Sequence, residues 1–258
     1  MKYKLKRQLK SSRLIALLLI FSTYATVSFA QAKDPVVESM MQEATTNSQL
    51  EKLAHELVDV IGPRLVGSPQ MQQAHDWAVQ KFNSWGITAR NEKWGEWRGW
   101  ERGITHIDLV HPRVKTLEGM QLAWSPNTGG KTITAETIII PDVADSIAFA
   151  QWLPQAKGKF VLISMQQPTG RPDYNWQEYA TPESFEKMKK ERTAQTDAWR
   201  TRISKTGYNA RTLPAALEKA GAAGIVMSNW SSGFGVNKIF SAYTKKIPTI
   251  DIALGDYG

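Results

Sequence analysis

A chain of 258 residues, 42% hydrophobic and 10% aromatic, is long enough for one large or two ordinary domains and can build a sizeable core, which excludes disorder as its default state. Its 32 basic residues outnumber 24 acidic ones, yet six of the basic and none of the acidic residues lie in residues 1–30; the rest of the chain, 26 basic against 24 acidic, is only +2, so nucleic acid drops out as a partner. The absence of cysteine excludes disulfides, thiolate nucleophiles and cysteine-ligated metals.

Lys2, Lys4, Lys6, Arg7, Lys10 and Arg13 precede the apolar run Leu14 to Phe21, and Ser28, Phe29 and Ala30 offer a small-residue cleavage site. Residues 1–30 therefore read as a secretory signal peptide. Ser22, Thr23 and Tyr24 cut the apolar run short of the roughly 20 residues a span requires, so no stable membrane span is expected after cleavage; an uncleaved anchor is the alternative. An exported chain without disulfides fits a bacterial periplasm or cell exterior.

Asp34 and Pro35 are suited to cap and open a helix with Val36, Val37, Met40, Met41 and Ala44 on its apolar side. Ser48 with Glu51 fits a capping box, followed by Leu50, Leu53, Ala54, Leu57, Val60 and Ile61 at helical spacing until Gly62 and Pro63. Ser68 as N-cap and Pro69 as first helical residue predict a third helix, with Met71, Ala74, Ala78, Phe82 and Trp85 inward and Gly86 as its left-handed cap. Residues 103–110 alternate as a strand, Ile107 and Leu109 on one face, His106 and Asp108 on the other. From about Leu117 short strands prevail: 121–125, 132–140 and 158–164, with a turn at 127–130. Residues 166–211 are polar and aromatic-studded, with a helix from Thr181 and Pro182 to Lys205 that has only the thin stripe Phe185, Met188, Trp199 and Ile203; a surface insertion is expected. Pro214 then opens a helix closed by Gly221, Gly224 to Met227 is a strand buried on both faces, Ile247 to Ile252 is another, and Asp256 reads as the N-cap of a further helix.

Several motifs invite a chemical reading. His55, Glu56 and Asp59 fall one residue short of the zinc helix in which a second histidine occupies the fifth position, and the amphipathic pattern alone accounts for them. His106 and Asp108 share a strand face and could hold one metal jointly, or stand as an ordinary solvent-side pair. His75 and His111 read as surface residues. Trp94, Trp97 and Trp100 sit in an irregular, glycine-interrupted loop suited to stack on a sugar or peptide, or to seal an interface between domains. Ser68 lacks a nucleophile elbow and is explained by its cap. No residue is assigned a catalytic, cofactor-binding or metal-binding role.

Four segments carry a family resemblance: Gly62 to Ser68 (GPRLVGS), Trp100 to Gly103, Leu122 to Pro126 (LAWSP), and Leu217 to Ser228 (LEKAGAAGIVMS). Together they resemble the secreted co-catalytic zinc exopeptidases related to plasma glutamate carboxypeptidase, from about Val36 to Gly258 apart from the insertion, and the last block resembles the protease-associated (PA) domain placed inside such enzymes. The resemblance implies an α/β fold: an incomplete N-terminal part of the exopeptidase domain at 31–116 and a β-rich PA-like domain at 117–258, with a helical insertion at about 166–212. It also implies hydrolysis of terminal peptide bonds of small peptides by two zinc ions sharing a water, with a carboxylate as general base. The family's ligands, a His-x-Asp, a bridging Asp, a Glu-Glu pair, an Asp and a late His, follow the PA domain. This sequence has no Glu-Glu pair, and His106 and Asp108 precede the PA-like block, so the ligand role is not carried to them. The expectation is a partial zinc exopeptidase, inactive by itself and without cofactor, whose full-length relatives hold two zinc ions and a peptide substrate; homodimerisation is left open. A non-enzymatic PA-type module binding peptide, protein or glycan is the alternative.

Overall fold

The computed structural model describes residues 34–258, so the expected signal peptide lies outside the described residues. The chain divides into two compact units, Met1–Pro63 and Arg64–Gly258.

In the first unit, helix α1 (Pro35–Thr46) starts as its sequence predicts: the Asp34 carboxylate accepts the Val36 N–H at 2.9 Å. Its apolar stripe is uncovered, with Val36, Val37, Met40 and Met41 all more than half exposed. Helix α2 (Leu50–His55) departs from the capping-box expectation. Gln49 is its N-cap, and the Ser48 hydroxyl reaches only the Leu50 N–H, at 3.4 Å. The helix then widens into a π-turn over Glu56–Val60, closed by the Ile61 N–H on the Glu56 carbonyl (3.1 Å), and Gly62, at φ +77°, ends it.

The second unit opens with α3 (Pro69–Ser84), where Ser68 Oγ accepts the Met71 N–H and donates to the Leu65 carbonyl. Gly86 adopts the left-handed conformation, and the Ile87 N–H closes the helix on the Phe82 carbonyl. Of the expected strand 103–110 only β1 (Asp108–Leu109) forms, paired antiparallel with β2 (Lys115–Thr116). Alternation assigns faces, but a ladder also needs a neighbour, and residues 103–107 have little beyond the Leu117 N–H on the Ile107 carbonyl and the Gln121 N–H on the Thr105 hydroxyl.

A five-stranded sheet carries the rest: β3 (Gly119–Gln121), β4 (Thr137–Ile139), β5 (Phe160–Leu162), β6 (Gly224–Met227) and β7 (Thr249–Ile252), in the order β3-β7-β6-β5-β4. β4, β5, β6 and β7 are parallel, whereas β3 runs antiparallel to β7 with Gly119 opposite Ile252. Parallel neighbours require crossovers. α4 (Ser146–Trp152) links β4 to β5, capped by the Asp145 carboxylate, which accepts the N–H groups of Ile147 and Ala148, both at 2.9 Å. α5 (Asp173–Tyr179), α6 (Pro182–Lys205) and α7 (Leu213–Lys219) lie between β5 and β6, and α8 (Leu254–Tyr257) follows β7.

Ile140, Phe149, Val161, Leu213, Leu217 and Ile225 form the centre of the core, with Trp199 and Ile203 of α6 packed against it. The thin stripe on α6 thus acts in two places: its last turns join the core, and Met188 is buried farther up. Asp256 is not an N-cap. It sits inside α8, accepts the Glu118 N–H at 2.7 Å and pairs with Lys115, which holds its carboxyl below the usual range through the hydrogen bond from Lys115 first and that from Glu118 second. No helix among the described residues is long and apolar enough to cross a membrane. The molecule is mixed α/β, as the sequence predicts.

Candidate functional site

The four histidines do not converge. His55 Nδ1 lies 2.8 Å from Asp59 Oδ2, one turn along the α2 helix and its π extension, and both side chains are largely exposed. His106 Nε2 lies 2.9 Å from Asp108 Oδ2, while the other oxygen of Asp108 accepts the Thr116 hydroxyl. His75 sits on α3 and His111 in the β1–β2 connection. Among the described residues no three His, Asp or Glu side chains come close enough to hold a metal ion. A co-catalytic centre needs three or four donors around each of two ions. The described residues therefore do not fit a two-zinc site, and no hydrolytic step is derived through one.

The tryptophan loop makes one local stack. Trp97 lies on Trp124, ring centroids 5.3 Å apart and planes 21° from parallel, while Trp94 is 95% exposed and the Trp100 N–H donates to the Gly67 carbonyl. Trp124 holds φ at +61°, and its buried Nε1 has no hydrogen-bond partner.

The C-terminal edge of the parallel strands holds a cluster of buried polar groups. Asp251 of β7 is 3% exposed. One oxygen accepts the Asn229 N–H (2.8 Å), the other the Asn237 carboxamide (2.6 Å), which also reaches the Ser228 hydroxyl and the Ile252 carbonyl. Beside it, the Tyr257 hydroxyl donates to the Ser164 carbonyl and accepts the Ser164 N–H, and Ser164 Oγ accepts the Ser228 N–H. Burial pushes the Asp251 carboxyl up to about 6 against the lowering effect of the Asn237 and Asn229 hydrogen bonds, and burial also pushes the Tyr257 phenol up to about 12. Both oxygens of Asp251 accept donors and are shielded from solvent, so the cluster clamps α8 and the loop after β6 to the sheet. A carboxylate inside the apolar run Thr249 to Ile252 was the signal available in the sequence. Its partner Asn237 lies fourteen residues away and gives none.

One open groove lies at the same sheet edge. Of about 460 Å³, it is bounded by Asp142 after β4, Met165, Gln166 and Pro168 after β5, and Gln195, Ala198, Trp199 and Arg202 of α6.

No protein-family model matches the chain. It is 31% identical to carboxypeptidase Q of Rattus norvegicus over 108 residues, 42% of this chain and 22% of the relative, and 29% identical to carboxypeptidase Q of Homo sapiens over 118 residues, 46% and 24%. The matched stretch thus spans about a quarter of those relatives. Among solved structures, a peptidase M28 precursor from Shewanella amazonensis superposes with a TM-score of 0.50 at 18% identity, covering 86% of this chain and 45% of that one, a likeness of fold.

Proposed function

We propose, on the premise that the chain belongs to the co-catalytic zinc exopeptidase family related to plasma glutamate carboxypeptidase, that it provides the N-terminal and PA-like portion of an exported enzyme that removes terminal residues from small peptides. The observation carrying this reading is the identity to two carboxypeptidase Q chains over more than a hundred residues, together with a mixed α/β fold of the same kind as a bacterial M28 peptidase precursor. The described residues do not bring three metal-ligating side chains together, so the two zinc ions and the water they activate belong to residues other than these. In this reading residues 34–258 shape and support the enzyme and do not perform the chemistry.

Metal analysis of the purified chain after exposure to zinc, run beside a dipeptide and aminoacyl-substrate assay, tests the proposal. Less than one tightly held zinc per chain and no hydrolysis are expected. Two bound zinc ions with turnover would overturn it. Export is part of the same reading, and the secreted protein should begin at Gln31 on N-terminal sequencing; retention of Met1 in an exported product would contradict it.

A further inference from the structure

We infer that the groove between α6 and the ends of β4 and β5 is a binding site for the free carboxyl end of a short peptide. Arg202 carries the argument. Its guanidinium lies over the Trp199 ring, 5.1 Å from the centroid, and it makes no ion pair or hydrogen bond among the described residues. A guanidinium held near an aromatic ring and without another partner can still take a carboxylate with two parallel hydrogen bonds. The only acid in the groove, Asp142, is already matched by Lys205 at 3.3 Å. The groove therefore keeps one uncompensated positive charge.

The rest of the lining selects among anions. The carboxamides of Gln166 and Gln195 have no hydrogen-bond partner among the described residues, and each offers both a donor and an acceptor, as a peptide bond requires. Met165, Pro168, Ala198 and the Trp199 indole provide apolar surface for a side chain, and 460 Å³ falls within the range of small-ligand sites. Inorganic phosphate would use Arg202 and leave the carboxamides and the apolar surface idle.

Titration of the chain with Ala-Leu-Ala, followed by side-chain NMR of the Arg202 guanidinium and the Trp199 indole, is the test, and it reads binding without hydrolysis, so its failure leaves the zinc reading untouched. Saturable shifts at those two groups are expected. The C-terminal amide of the same tripeptide should bind about tenfold or more weakly, as loss of a charge-assisted hydrogen bond requires, and R202A should lose as much toward the free acid. Equal binding of acid and amide, no binding, undiminished binding by folded R202A, or displacement of the tripeptide by equimolar phosphate would each overturn the assignment. Should R202A fail to fold, the acid-against-amide comparison on the unaltered chain decides, with Q195A, on the exposed side of α6, expected to weaken binding severalfold.

Discussion

Asp251 shows how one residue can cost stability and still fix a structure. Its carboxyl is pushed up from 3.8 to about 6 in the folded chain, chiefly by burial. Because the folded value is the higher one, the folded state prefers the protonated acid. That contribution is complete below about pH 4 and is lost as pH rises through 6. A shift of about two units corresponds to roughly 2–3 kcal/mol. Urea unfolding of the parent and D251N at steps from pH 4 to pH 7 should show the parent losing about that much stability relative to the variant; parallel profiles would refute the burial argument. At neutral pH the charged carboxylate is retained because both oxygens are needed: an asparagine in its place could accept from only one of Asn229 N–H and Asn237 Nδ2. At this scale the sequence was legible wherever partners lie within a few residues. Asp34, Ser68 and Thr181 each cap the helix they precede. It was silent where a partner lies far along the chain, as with Asp251 and Asn237 or Lys115 and Asp256.

Elements depend on neighbours as well as on pattern. The alternation at 103–110 was visible, yet a ladder formed only at Asp108 and Leu109, the two positions opposite β2. Conversely α4 has in Asp145 the cap a helix requires, but its apolar stripe is too short to stand out in the sequence. The β3–β7 pair leaves no room for a side chain at Gly119. A Cβ at Gly119 would come within 2.5 Å of the Asp251 backbone oxygen and 3.2 Å of Ile252 Cα, and backbone cannot step aside as a side-chain tip can. G119A is therefore expected to cost about 1–3 kcal/mol in chemical unfolding through overpacking. The comparison substitution G255A, where a Cβ meets nothing within 4 Å, should be neutral or slightly stabilising. Equal behaviour of the two would show that the strands separate without penalty.

At the scale of the molecule, the resemblance in the sequence and the mixed α/β fold agree, while the four histidines named in the sequence stay apart as isolated or paired surface groups. Ligand clusters are a property of how distant segments meet, and nothing in the spacing of His55, His75, His106 and His111 required them to meet. The antiparallel β3 has a larger consequence. Because it enters beside β7, the last strand among the described residues, Lys115 of β2 and Glu118 just before β3 are tied to Asp256 just beyond β7. The 115–257 stretch is thus a loop whose mouth is shut by its own residues, Lys115 and Glu118 on Asp256, with β1 and Thr105 bonded to its first strands from outside. Such a stretch can be cut out as a cassette: residues 115–258 expressed alone should give a dispersed amide spectrum and a single cooperative melt, whereas a collapsed spectrum would show that α3 and its loop are required. Held by its own two ends, the cassette could be grafted between two adjacent residues of a host protein without prising them apart.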